Sequence, residues 1–314
     1  MKLAAALCCA FLNSCGGGGS SDGEHATSPA PTPTPAPASP AYENAFNFSQ
    51  TRVSQAQGVE LLTFYRYIQS GIPNYWVFDH HISNLHPDHD AVEIKFSSDT
   101  QSIDLNYLSN IANFPLETRE RNEADEKTYY YSNTYLDRHI RIVKPDTNIN
   151  YINYGMETEN DYLDINHKKT ERIFLYGSYT TTQDVPIQGN RNYAGHLVTT
   201  SPTLDGAGGF FSNNELMVSF ANNIIEGTVA TTTVSSLSPN PFIKATLRFS
   251  GRYSAANNEF SGDITSSDSS FSGVFTGRLY GPSGSEIGLI FYLRQSEAGP
   301  PRPHVIGTFI GKMR

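Results

Sequence analysis

Cysteine is missing from this 314-residue chain beyond position 15: all three, Cys8, Cys9 and Cys15, fall in the opening stretch. That excludes a disulfide framework, so a hydrophobic core must hold whatever folds. Runs of lysine or arginine are missing too, and the formal net charge is −9. Nucleic acid as a partner, and attachment to anionic lipid heads by bulk charge, are thereby disfavoured. The common enzyme signatures are also absent: no Gly-x-Ser-x-Gly elbow, no His-Glu-x-x-His, and no phosphate-cradling glycine loop before a helix. Gly206-Ala207-Gly208-Gly209 reads as a turn between strands, and the acids Glu117, Glu120, Glu123 and Asp125 read as a charged loop rather than a carboxylate pair. The expectation is a protein that is not an enzyme, with no catalytic residue, no metal and no cofactor.

What is present begins with a short apolar run, Leu3 to Leu12, followed by Leu12-Asn13-Ser14-Cys15. The run is too short for a bilayer-spanning helix and has the order of a secretory signal peptide. Ser14 before the cysteine and Leu12 three residues before it satisfy a lipobox, which Leu7 and Cys8 do not do for Cys8 and Cys9. Residues 1–14 are therefore read as a lipoprotein signal peptide and Cys15 as the lipidated first residue of the mature chain. An ordinary signal peptide cut nearby is the alternative. Gly16, rather than aspartate, follows the cysteine, which fits the outer membrane. Several acyl chains make a stable anchor, each buried methylene contributing about 0.8 kcal/mol. Residues 15–41, glycine-rich and then alternating in proline, read as a disordered tether.

The remainder is rich in Tyr and Phe with polar turn residues between short alternating runs, the signature of β-strands. Eight such runs fill the second half: Asn192–Val198, Glu215–Phe220, Ile224–Ala230, Lys244–Phe249, Glu259–Ile264, Phe271–Leu279, Glu286–Leu293 and Val305–Ile310. Consecutive hairpins close most simply into an up-and-down barrel. A soluble barrel is favoured over a membrane-embedded one, because the strands are short for a crossing and the chain ends in Lys312-Met313-Arg314. The first half offers Tyr75–Phe78, Ala91–Phe96, Ser102–Tyr107, Thr128–Leu136, Arg138–Val143, Ile149–Tyr154 and Arg172–Tyr176 as strands. Gln57–Ser70 has a helical phase through Val59, Leu62 and Tyr65 or Arg66, with strand left open. The fold class is mainly β: a C-terminal soluble eight-stranded antiparallel β-barrel preceded by a β-rich domain.

One cluster has ligand chemistry. Asp79-His80-His81-Ile82-Ser83-Asn84-Leu85-His86-Pro87-Asp88-His89-Asp90 places four imidazoles among acids in what reads as one short loop. Such groups can bind a transition metal or ligate haem. The spacing matches no established site, and a solvated polar loop is the competing reading. His80, His81, His86 and His89 are the candidates should the ligand be haem. Tyr65-Arg66-Tyr67 and Tyr129-Tyr130-Tyr131 can offer contact area to a protein, with alternate members facing a core.

Two stretches carry a resemblance. Tyr176-Gly177-Ser178-Tyr179-Thr180, Asp184-Val185-Pro186-Ile187-Gln188-Gly189 and Asn192-Tyr193-Ala194-Gly195 resemble the barrel entry of the transferrin-binding protein B family. Phe271-Ser272-Gly273-Val274-Phe275-Thr276-Gly277-Arg278-Leu279-Tyr280-Gly281-Pro282, Ser285-Glu286-Ile287-Gly288 and Ile306-Gly307-Thr308-Phe309 are similar to its closing strands. Leu279, Ser285 and Leu289 depart from the family pattern. Phe271, Phe275 and Leu279 share one face by the period of two and should point inward. The resemblance implies a handle domain over 42–175, including a hairpin at Phe96–Ile103, and a barrel domain over 176–314. It further implies a surface lipoprotein of a Gram-negative outer membrane that captures a protein or haem ligand as an iron source. Its partner would be a TonB-dependent outer-membrane transporter, and a dedicated translocator would export it. Ligand is not shared across a fold, so an adhesion or immune-evasion module that binds a host protein independently of iron stays open. An envelope enzyme on the same barrel is the third class.

Overall fold

The computed structural model describes residues 41–68, 75–86, 92–107, 110–115, 126–132, 136–143, 148–162, 166–200, 214–230, 246–269, 271–295 and 304–314. The chain separates into Met1–Ser39 and a compact unit from Pro40 to Arg314, which holds every described residue. The signal peptide, Cys15 and the tether up to residue 40 lie outside the described residues.

Strand follows strand: β1 (Arg52–Ile68), β2 (Tyr75–His86), β3 (Val92–Ser97), β4 (Ser102–Tyr107), β5 (Asn110–Pro115), β6 (Glu126–Ser132), β7 (Leu136–Val143), β8 (Ile152–Asp161), β9 (Asn166–Gly177), β10 (Asn190–Thr200), β11 (Asn214–Ser219), β12 (Ile224–Ala230), β13 (Thr246–Ser254), β14 (Glu259–Ser266), β15 (Phe271–Tyr280), β16 (Glu286–Gln295) and β17 (His304–Met313). The first nine form one antiparallel sheet, β5-β4-β3-β1-β9-β8-β7-β6, with β2 also paired to β1. The last eight close into a barrel in sequence order. The chain is thus mainly β, an eight-stranded antiparallel barrel preceded by a β-rich sheet.

On the solvent-facing side of the barrel the strands alternate cleanly. β13 runs exposed, buried, exposed, buried from Thr246, and Leu247, Phe249 and Tyr253 point into the interior. Phe271, Phe275 and Leu279 are all buried in the same core, as the period of two requires. Paired glycines make room for the Phe275 ring there. A Cβ on Gly251 would come within 2.8 Å of the Phe275 ring and one on Gly262 within 2.9 Å, and the carbonyl oxygens of Ser261 and Ser250 stand nearer still, at 2.4 and 2.3 Å, so these positions tolerate no side chain. Phe275 also meets Phe249 edge-on at 5.3 Å. Leu289, where the resemblance leads one to expect glycine, is fully buried in this interior. The outward positions of β12 to β14 carry Glu226, Arg248, Ser250, Arg252, Asp263 and Thr265, all exposed or half-buried. A membrane-crossing barrel turns an apolar band outward, and these three strands do not. No helix among the described residues is long and apolar enough to cross a membrane.

The helical phase at Gln57–Ser70 gives way to β1, the longest strand. Its start, Arg52–Ala56, pairs with β3; its remainder pairs with β2, and its other edge with β9. Gln57, Val59 and Leu61 are buried on one face and Ala56 on the other. A strand covered on both sides has apolar residues at both parities and loses the alternation that would identify it. The hairpin expected at Phe96–Ile103 is present, β3 and β4 pairing from Val92↔Tyr107 to Ser97↔Ser102.

Candidate functional site

The histidines do not share a loop. His80, His81 and His86 lie on β2, opposite Phe64, Thr63 and Gly58 of β1; His89 lies outside the described residues. A strand rises about 3.3 Å per residue, which spreads His80 and His86 over about 20 Å of backbone. Together they cannot ligate a single ion from one strand. Among the described residues no group of three or more His, Cys, Asp or Glu is placed to hold a metal. The acids Glu117, Glu120 and Glu123, with Asp125, lie outside the described residues. Of the tyrosine run, Tyr129 is buried and Tyr131 exposed, the alternation a strand imposes.

The residues that carry the closing-strand resemblance meet at the seam between sheet and barrel. Glu286, only 1% exposed, accepts three backbone N–H groups where the chain enters β8: Asn150 at 2.8 Å, Tyr151 at 2.8 Å and Ile152 at 3.0 Å. Burial pushes its carboxyl above the ordinary glutamate range, while those three donors and Lys312 pull the other way. Gly288 lets Ile152 approach, since a Cβ there would fall 2.1 Å from the Ile152 Cδ1. Gly281 takes a positive φ of 70° where the chain turns into Pro282, and Thr180 donates to its carbonyl at 2.7 Å. Around this point Val59, Leu61, Ile173 and Leu175 of the sheet pack on Val198, Tyr280, Ile290, Ile306 and Ile310 of the barrel. Buried Asn258 closes the same end, donating to the carbonyls of Thr180 and Leu279 and accepting from the Leu279 N–H.

A strap formed by residues 42–48 crosses this seam. The Tyr42 hydroxyl donates to Asp184 at 2.8 Å, the Glu43 N–H to the Ser178 hydroxyl, and the Ala45 N–H to the Asn150 carbonyl. The Ser283 N–H donates to the same Asp184, and this bond first, then Tyr42, holds the carboxyl below its usual range. Arg52 donates to the carbonyls of Asn44 and Ala45. Phe46 meets Phe48, and Phe48 meets Phe96, each edge-on at 4.9 Å.

Inside the sheet lies an ion network that sequence reasoning missed. Glu157, with no side-chain exposure, accepts from Arg138 at 2.6 Å through one oxygen and from Arg172 at 2.8 Å through the other. Arg172 also donates to Glu60 at 2.7 Å, and Arg138 approaches Glu159 at 2.9 Å. Each guanidinium lies over a ring at 5.1 Å, Arg138 on Phe114 and Arg172 on Tyr107. Burial pulls Arg172 toward deprotonation, but Glu157 and Glu60 more than offset it and raise its pKa. Burial likewise drives the Tyr107 phenol upward, so it stays neutral. The signal that was available is the charge alternation Glu157-Thr158-Glu159 on β8 facing Thr170-Glu171-Arg172 on β9. The network ties β1, β7, β8 and β9 together.

No family model and no curated protein sequence matches the chain. Solved structures do. Transferrin-binding protein B from Haemophilus parasuis Hp5 is 15% identical, with a TM-score of 0.42, over 82% of this chain and 44% of its own. The isotype 1 protein of serogroup B Neisseria meningitidis is 14% identical, at 0.41, over 81% and 43%. An intact Ap-TbpB, with N and C lobes, is 12% identical, at 0.37, over 84% and 77%. The chain spans less than half the length of the first two, and the similarity is one of fold.

Proposed function

We propose that this chain is a lipid-anchored surface protein of a Gram-negative outer membrane that binds an iron or haem source and passes it to a TonB-dependent transporter. The observation that supports this reading is the placement of the resembling residues. Tyr280-Gly281-Pro282 and Glu286-Ile287-Gly288 are not scattered turn residues; they form the joint that fixes sheet to barrel. The likeness to the transferrin-binding protein B family, read from sequence, thus rests on residues with one shared structural task, the joining of a handle to a barrel. Such a body presents surface and carries out no chemistry of its own. Of the candidate residues, His80 and His86 on β2 are where haem ligation is tested first, followed by His81 and His89.

The test is a haem titration of the purified protein together with capture of iron-loaded carrier proteins. A Soret shift lost in His80→Ala or His86→Ala assigns haem to β2, and retention of a carrier protein only in its iron-loaded form assigns a protein source. Failure of both arms removes the iron reading. Exposed Tyr131, at 42%, supports the second reading, a contact with a host protein that does not depend on iron. Incorporation of labelled lipid, abolished by Cys15→Ala, tests the anchor.

A further inference from the structure

A sheet edge is a row of unpaired N–H and C=O groups that proteins ordinarily blunt with short strands, proline, lysine or a covering element. The sheet has three candidate edges among the described residues. β5 and β6, at the two ends of the strand order, are short and come close to one another, so each shields the other. β2 is different. It spans Tyr75–His86, is hydrogen-bonded to β1 along one side only, and has no strand on its other side among the described residues. It contains no proline, lysine or arginine. Its single irregularity is a bulge at Asp79, where the register passes from Phe64↔His80 to Tyr65↔Phe78. From His80 to His86 the strand is regular.

We propose that this outer edge takes the same strand of a second copy, antiparallel, joining two sheets into one continuous sheet. Charge favours that occupant. The chain as a whole carries −9 and repels itself, yet β2 carries one acid and three histidines, so this is a stretch where two copies meet without like-charge cost. Geometry favours it as well: an antiparallel pairing about a two-fold axis is the same contact seen from both sides, satisfies both edges at once and stops at two. β2 also lies close to β16 and β17 of the barrel. The proposal does not rest on the identity of the ligand.

Neighbouring residues of a strand aim their N–H and C=O groups at opposite edges. Of Ile82→Pro and Ser83→Pro, therefore, one removes a bond to β1 and the other a bond across the dimer. In sedimentation velocity at micromolar concentration, the full chain carrying Cys15→Ala is expected to run as a dimer. One proline variant should keep the parent melting temperature yet weaken dimerisation by about tenfold or more, and the other should melt earlier. Amide exchange gives an independent reading: the outward N–H of the Ile82/Ser83 pair should exchange slowly when concentrated and rapidly when diluted. A monomeric parent, a dimer untouched by the proline that preserves melting, or exchange independent of concentration each overturns the proposal.

Discussion

The sheet and the barrel use similar strands to opposite ends. The barrel satisfies its edges by closure and fills its centre with Phe249, Phe260, Phe275, Phe291 and Phe309, all buried. The sheet stays open, and beside its own apolar residues it encloses Arg138, Arg172 and Glu157. Apolar packing is non-directional and tolerates approximate geometry, whereas a buried ion pair is stabilising only when every donor and acceptor is matched. One half is therefore held by volume and the other, in part, by wiring.

Substitutions that attack each principle separately should break the comparison. Phe275→Ala is expected to have the largest effect, a loss of about 4 kcal/mol, because the ring fills the hollow left by two glycines and the cavity cannot collapse onto it. Denaturant unfolding measures it; a loss under about 1 kcal/mol would contradict a tightly filled barrel. Glu157→Ala ranks second, at about 3 kcal/mol, since it removes the buried carboxylate that Arg138 and Arg172 share and leaves them only Glu159 and Glu60. If wiring is the issue, replacing Arg138, Glu157 and Arg172 together by Leu, Leu and Met, with Glu60 and Glu159 changed to Gln so that neither keeps an unpaired charge, should recover most of that loss. A combined variant as unstable as the single one would show that the network does more than satisfy itself.

Glu286→Gln comes next, at about 2 kcal/mol near neutrality, because a buried N–H left without its acceptor costs about 1–3 kcal/mol. Here pH sharpens the contrast. A carboxyl whose folded pKa lies above its unfolded one binds protons more readily when folded. Its contribution is fully present below the unfolded value and is lost as pH rises through the raised folded value. The parent should accordingly gain stability relative to Glu286→Gln as pH falls through that window, and a difference flat with pH would place the carboxylate in water. The smallest effect belongs to the exposed Lys95–Asp104 pair, 3.9 Å apart with Lys95 about half exposed. Asp104→Asn should change the unfolding midpoint by less than about 0.5 kcal/mol in stability.

Legibility in the sequence divided along the same line. The eight barrel strands were readable: on β12 to β14 one face meets an apolar interior and the other meets solvent, leaving alternation intact, while β15 to β17, buried on both faces over much of their length, were marked by the turn residues between them and by the resembling residues. β1 was not, since Gln57, Val59 and Leu61 face the barrel while Ala56 faces the sheet interior. His80, His81 and His86 were read as loop because charged and polar residues crowd together there; pairing with β1 overrides that composition. The Glu286 joint was beyond reach for another reason: its partners are backbone N–H groups more than 130 residues away, and a backbone donor has no letter in the sequence. Only the cluster of resembling residues marked the place.

The strap has a mechanical consequence. Its bonds run from Tyr42, Glu43 and Ala45 to Asp184, Ser178 and Asn150, all ahead of β1 along the chain. Tension arriving from the N-terminal side therefore meets these hydrogen bonds first, and the first structural loss is a short ribbon, not the unzipping of β1.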